Sequence, residues 1–275
     1  MNVLWLYSYP KTGSTWVRRV IQEILAPELS PFEAISSVQH ELPKAPVSFE
    51  VWGTEMAIFK THNPPGHPAD GRVGLKDAGY ISVYRHPLDV LLSSLNYSFI
   101  KGESRIFKGG ILKNVDQIIQ DDEIGHYIGQ FIHHQGCRRY VKLCGGYAEY
   151  YRNWETVAAR GPHLMLRYED IVADKVKAIT SIAHFIGRED ADCTKIYEKI
   201  EEKTAIDGRF HWRKKAYNFE GYVPRRFISK FERSCADVLN YFGYEPTIQQ
   251  RQKQAEVALP GDTTPPTRRK PDKEL

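Results

Sequence analysis

Apolar residues are spaced along this chain in two rhythms. A short continuous run, Val3 to Tyr7, reads as a buried strand. After it Trp16, Val17, Val20, Ile21, Ile24 and Leu25 recur at the spacing of one helix face. Ala57 to Thr61 reads as a second strand, which Pro64 must end. Tyr80 to Tyr84 reads as a third, and Pro87 suits the first turn of the helix that follows. Residues 27–53 read as loop, broken by Pro31, Pro43 and Pro46; Phe32, Phe49 and Trp52 within them fit either the core or the lining of a pocket. Gly102, Gly109 and Gly110 mark a flexible loop, and Val115 to Phe131 reads as a helix interrupted by Gly125 and Gly129. The Gly145-Gly146 turn precedes an aromatic-rich helix reaching Trp154, and His163 to Asp170 reads as a strand. Val176, Ile179, Ile182, Ala183 and Ile186 predict a helix over 174–187, stopped by Gly187. A more charged helix is expected over 191–203, and a last one from Arg225 to Phe242. Beyond about Gln249 the chain is polar and carries Pro260, Pro265, Pro266 and Pro271, as a disordered tail does.

Composition narrows the classes. At 275 residues the chain can bury a sizeable core as one large domain or two small ones. Its net charge of +4 does not imply a nucleic-acid coat but is compatible with an anionic small ligand. The four cysteines form no CxxC pair and no zinc spacing, so reduced thiols in a cytoplasmic protein are expected. His133-His134 has no Cys or carboxylate at ligand spacing, and no metal is expected. Lys11, Arg18 and Arg19 interrupt any signal peptide, and nothing reaches the ~20 apolar residues of a membrane span, so a soluble protein without membrane partners is expected.

Candidate chemistry begins at Tyr9-Pro10-Lys11-Thr12-Gly13-Ser14-Thr15-Trp16, between the first strand and the first helix. Backbone N–H groups and the positive end of a helix dipole converge on such a turn, and Gly13 allows close approach of an anion. Lys11 adds a charge; Ser14 and Thr15 add hydroxyls. The nucleotide-binding pattern G-x-x-x-x-G-K-[ST] is not met, because the lysine precedes the glycine and no earlier glycine exists. A plain turn with Ser14 as helix cap is the competing reading, though it has no need of Lys11. Lys60-Thr61-His62 ends the second strand; a lone histidine there is either structural or a base of suitable pKa, near ~6.5. Arg85 follows the third strand, and Ser93 lies two helical turns on, so both could address one phosphate. Arg213-Lys214-Lys215 is a basic run. Asp121, Asp122 and Glu123 form either a solvated face or, turned into a pocket, a site for a cationic acceptor.

These blocks resemble the sulfotransferases that use 3′-phosphoadenosine 5′-phosphosulfate (PAPS), of the cytosolic type and in a bacterial-like form. The first octapeptide is similar to the family's Tyr-Pro-Lys-Ser-Gly-Thr-Thr-Trp, differing only by Ser/Thr exchanges. Lys60-Thr61-His62-Asn63-Pro64 resembles its catalytic stretch, and Arg85 to Ser93 its 3′-phosphate motif, with His86 in place of Asn. The resemblance covers about residues 1–245. It implies a P-loop-NTPase-like three-layer α/β domain, a central parallel sheet flanked by helices, over 1–248, with 249–275 as tail. It implies sulfuryl transfer from PAPS, leaving adenosine 3′,5′-bisphosphate (PAP), to a small-molecule acceptor. By the same resemblance His62, Lys11 and Lys60 would be catalytic. Lys11, Thr12, Gly13, Ser14, Thr15 and Trp16 would bind the 5′ end and adenine, Tyr168 would flank the adenine, and Thr204 would lie against the base. Arg85, Ser93, Arg213 and Lys214 would hold the 3′-phosphate. The likeness frays where Lys215 replaces Gly and Asn218-Phe219-Glu220 replaces Gly-Asp-Trp, and the family's dimer motif is missing. A nucleotide kinase and a non-catalytic PAP-binding module are the rival readings; the acceptor, whether a hydroxyl or a nitrogen, stays open.

Overall fold

In the computed structural model the first apolar run becomes the central strand of a sheet. The structure describes residues 1–38, 46–67, 75–102, 106–107, 113–206 and 215–247. In chain order the elements are β1 (Asn2–Ser8), α1 (Ser14–Leu25), α2 (Pro31–Ala34), β2 (Ser36–Val38), β3 (Ser48–Val51), β4 (Thr54–Thr61), β5 (Lys76–Tyr84) and α3 (Pro87–Lys101). They continue as α4 (Val115–Gln120), α5 (Ile124–His134), α6 (Arg138–Cys144), α7 (Tyr147–Ala158), β6 (His163–Arg167), α8 (Tyr168–Ala173), α9 (Lys175–Phe185) and α10 (Cys193–Ile206). The last are α11 (Asn218–Tyr222), α12 (Arg225–Ser234) and α13 (Ala236–Tyr241).

The strand order is β2-β4-β1-β5-β6, all parallel, with β3 antiparallel to the start of β4. A parallel sheet is covered on both faces, which is why β1 is apolar throughout instead of alternating. Its alternate side chains enter different cores. Val3, Trp5 and Tyr7 pack with Trp154 and Tyr150 of α7 and with Leu91 of α3. Leu4 and Leu6 pack with Val17 and Ile21 of α1 and with Ile179 and Ile182 of α9. Tyr7 and Trp154 stack with centroids 4.5 Å apart.

Several boundaries differ from the sequence expectation, each for a local reason. Residues 27–53 are not all loop: they contain α2, β2 and β3. β2 is a three-residue edge strand, too short to show alternation. β3 and β4 form a hairpin whose turn, Trp52-Gly53, takes positive φ at both positions (53° and 67°), a turn that Asn-Gly usually announces and Trp52 conceals. Trp52 packs at the end of β4 away from His62: a Cβ on Gly79 would come within 2.5 Å of its ring, and its indole N–H donates to the Phe185 carbonyl. Phe49 is core and Phe32 is exposed beneath the Arg18 guanidinium, so these aromatics do not line the site built below. The 115–131 helix breaks at Asp121–Glu123, where Asp122 has φ 58°, and not at Gly125 or Gly129. Gly125 instead admits the Phe227 ring of α12, which a Cβ would meet at 2.3 Å. Tyr168-Glu169-Asp170 opens α8 rather than finishing β6, and the last helix divides at Cys235. The four cysteines are free thiols. Among the described residues no helix is long and apolar enough to cross a membrane. The expected 249–275 tail lies outside the described residues.

Candidate active site

Parallel register sets the ends of four strands side by side, since Tyr7 faces Thr61, Ser8 faces Val83 and Tyr84 faces Arg167. The segments just beyond them, Tyr9–Gly13, His62, Arg85 and Tyr168, therefore share the C-terminal edge of the sheet, where ligands bind in such folds. Gly13, at φ 114°, is the N-cap of α1; Ser14 is the first helical residue and not the cap, and no side chain caps this end. Thr12 closes the loop by donating from Oγ1 to the Tyr9 carbonyl at 2.8 Å. A Cβ on Gly13 would lie 2.7 Å from Cδ2 of Tyr168, so the loop and that ring fit only around glycine. Ser14 is buried, while Thr15 and Trp16 reach the surface; the indole nitrogen of Trp16 is buried without a partner.

Lys11 has φ 73°, and its Nζ lies 4.2 Å over the Tyr97 ring of α3. Among the described residues no carboxylate pairs with it. Burial, then the charge of Arg85, lowers its pKa to about 8. Lys60 is buried on β4, and burial with the charges of Arg18 and Lys11 lowers it to about 7. Its Nζ lies 2.5 Å from Nε2 of His62, whose Nδ1 lies 2.5 Å from the Ser8 carbonyl. Donation to that carbonyl puts the imidazole proton on Nδ1, so the Nε2 lone pair, the basic position, accepts from Lys60 Nζ. Burial, then the Lys60 charge, draws His62 well below its ordinary pKa, so the ring is neutral at physiological pH. The turn after it is tied down by the Trp154 indole, which donates to the Asn63 carbonyl at 3.0 Å.

Arg85 is buried, its guanidinium 4.0 Å over the Tyr168 ring and its Nη2 3.3 Å from Oδ2 of Asp89. Its Nε is buried without a partner. Asp89 also accepts the Phe219 N–H at 3.2 Å, and Arg85 donates to the Lys215 carbonyl at 3.4 Å, so the segment 215–219 is fastened beside the guanidinium. His86 caps α3, its Nδ1 accepting the Leu88 N–H at 3.3 Å. Burial, then the charges of Arg167 and Arg85, lowers it to about 3, so it caps as a neutral ring, stacked on Phe219 at 4.3 Å. Ser93 is half-buried two turns along α3. Thr204 lies within α10 and Arg213-Lys214 between α10 and α11, but the Thr204 side chain and both basic residues lie outside what is described.

Arg18 was not foreseen. It lies one turn beyond Ser14, buried on α1, donating to the Ile35 carbonyl with its Nε unpartnered. Burial lowers its pKa to about 10, and its charge in turn depresses Lys60 and His62. An arginine beside Val17 and Ile21 on the apolar face of the first helix was the available signal. The charge of Arg85 thus lowers Lys11, and those of Arg18 and Lys11 lower Lys60, around a helix N-terminus, an arrangement that a bound anion would relieve. The acidic cluster belongs elsewhere: Lys113 bridges Asp121 (2.7 Å) and Glu123 (2.5 Å), and Arg226 pairs with Asp122, all at the surface. Among the described residues no three His, Cys, Asp or Glu side chains could hold a metal ion.

Residues 2–207 match the family described as sulfotransferase domain. The chain belongs to this family. A comparison with curated protein sequences gives no match. Among solved structures, this sulfotransferase domain is similar to retinol dehydratase in complex with androsterone and PAP, at TM-score 0.57 and 17% identity over 86% of this chain and 80% of that one. It is likewise similar to retinol dehydratase with retinol and PAP (TM-score 0.54, 17% identity, 86% and 81% covered). A third neighbour is mouse sulfotransferase SULT7A1 complexed with PAP (TM-score 0.57, 14% identity, 92% and 88% covered). The shared architecture is P-loop-NTPase-like, a parallel sheet between helical layers.

Proposed function

We propose that this sulfotransferase moves a sulfuryl group from PAPS to a hydroxyl or an amine or guanidine nitrogen of a small acceptor, with a natural product as the acceptor class. The observation that carries this reading is the convergence of Lys11, Lys60 and Arg85 with a neutral His62 at one sheet edge. The residues suit the donor's chemistry: Lys11 has no carboxylate partner among the described residues, Arg85 keeps a buried unpartnered Nε, and Gly13 lets the Tyr168 ring lie against the loop. PAPS, when bound, supplies a sulfuryl group on an anionic leaving phosphate. Sulfuryl transfer parallels phosphoryl transfer, in which charge builds on the leaving oxygen in a loose in-line transition state. Lys11 and the backbone amides of Gly13 to Thr15 would neutralise that charge, with Lys60 as a second cation and no metal required. His62 would take the acceptor proton at Nε2, while the Ser8 carbonyl holds the ring's tautomer. Arg85 and Ser93, with Arg213 and Lys214, would hold the 3′-phosphate; Trp16 and Tyr168 would flank the adenine, and Thr204 would lie against the base. The site offers a kinase no Gly-Lys-Ser/Thr loop, and a purely binding module has no use for His62. The ion pairs around Asp121 to Glu123 give no support for a cationic acceptor.

The direct test is PAP release from PAPS across a panel of hydroxyl and nitrogen acceptors. His62→Ala is expected to lower turnover about 10²–10⁴-fold with the fold retained. A variant turning over within about twofold of wild type would remove its role as base.

The pH dependence has a definite sign. Lys11 and Lys60 lose their charge as pH rises through about 8 and about 7, so kcat/KM for PAPS should fall from neutral pH upwards. A bound anion raises both values, so kcat should persist to higher pH than kcat/KM. On the acid side His62 is held well below its ordinary value and stays neutral. A kcat/KM profile flat to about pH 10 would take both lysines out of donor recognition.

A further inference from the structure

We propose that Tyr147 and Tyr151 are positioning residues that set the spacing between the Lys11 loop and Arg85. Both are buried, at 1% and 0% exposure, four residues apart on α7 and hence on one helix face. Each hydroxyl spans two backbone groups where the sheet ladder runs out. Tyr147 accepts the Arg85 N–H at 3.1 Å and donates to the Arg85 carbonyl at 2.5 Å. Tyr151 accepts the Tyr9 N–H at 3.3 Å and donates to the Val83 carbonyl at 2.5 Å. Tyr9 opens the loop that carries Lys11, and Val83 lies two residues before Arg85. One helix therefore grips both cation-bearing segments by their main chain, and the phenols extend the sheet's bonding beyond its edge.

The rings pack against one another at 5.4 Å, and the Tyr9 ring meets that of Tyr147 at 5.0 Å, so helix, loop and strand end form one block. A buried backbone N–H or C=O that loses its partner carries its full desolvation cost, so these two hydroxyls hold their segments more firmly than ring packing alone would. The division of labour is unequal. The Tyr147 hydroxyl bonds the N–H and carbonyl of Arg85, while that of Tyr151 joins the loop to β5. A ligand with anionic groups at both ends needs those segments at a fixed separation, whereas a ligand with one anionic group needs only one of them. This inference rests on the PAPS reading above.

The test uses Tyr147→Phe and Tyr151→Phe in the full chain, each removing one oxygen and keeping the ring. Calorimetry with PAP and AMP, kcat and KM for PAPS, and amide hydrogen exchange are measured on both. Tyr147→Phe is expected to weaken PAP about tenfold with AMP and kcat within about twofold, and to speed exchange of the Arg85 amide. Tyr151→Phe is expected to lower kcat about tenfold, keep the PAP-to-AMP ratio within about twofold, and speed exchange of the Tyr9 amide. A merely structural role would lower Tm in both variants without this split; equal losses of PAP and AMP or unaltered ligand constants in Tyr147→Phe, or an unaltered kcat in Tyr151→Phe, overturn the inference. If a variant does not fold, the wild type decides, because fast exchange of the Arg85 or Tyr9 amide in it excludes the clamp. A wild type that binds PAP no better than AMP overturns the proposed function itself, a result separable from the first.

Discussion

Lys11→Ala is expected to lower turnover with PAPS about 10²–10³-fold while the thermal midpoint stays within a few degrees of wild type. The ammonium is the full charge on the Tyr9–Gly13 loop, and a preorganised donor aimed at a developing oxyanion is worth about 3–4 kcal/mol. Its removal costs the fold little. The aliphatic stem is half-buried, the backbone already sits at φ 73°, and the charge is a burden on the free protein, lowered to about 8 by burial and Arg85. Steady-state kcat together with calorimetric melting checks this. A variant that turns over near the wild-type rate would mean that the leaving oxygen is neutralised elsewhere, and Lys60 would be the candidate.

Arg85→Ala should separate two ligands that differ by one phosphate. PAP binding is expected to weaken about 100-fold and AMP binding by no more than about threefold, because charge-assisted hydrogen bonds to phosphate are worth about 1.5–3 kcal/mol. Part of the effect falls on stability. Asp89 is buried, and losing its guanidinium partner leaves a carboxylate that burial already pushes up, retaining the Phe219 N–H. Arg85→Lys keeps the charge and loses the fork, so it should be more stable than the alanine variant yet still discriminate poorly. Equal losses of PAP and AMP in calorimetry would show that Arg85 acts on the fold and not on a 3′-phosphate.

Much of the site was legible because it is local. The strand, glycine turn and helix around Lys11 occupy consecutive residues, as do Lys60-Thr61-His62 and Arg85-His86-Pro87, and each block carries its chemistry within a few positions. Arg18 was missed because an isolated arginine within a helix has no short-range signature; only burial against the Ile35 carbonyl distinguishes it from a surface charge. Trp52 was left open between core and pocket for the opposite reason. An aromatic in a proline-rich stretch looks available for a pocket, but the hairpin turns it onto Gly79 and Phe185. The acidic trio around Asp122 depended on Lys113 and Arg226; the latter is 104 residues from Asp122.

The sequence alone determined the strands β1, β4 and β5 beside the Lys11 turn, since periodicity, proline and glycine act over a few residues. It also determined the main cations and the candidate base, which side-chain chemistry makes available wherever the chain goes. Tertiary structure decided the rest: that β1 lies between β4 and β5, that Lys11, Arg18, Lys60 and Arg85 meet, and that Ser8 sets the tautomer of His62. Those outcomes depend on strand order and register, which come from burying two opposite faces of one sheet at once, and no window of neighbouring residues contains that condition.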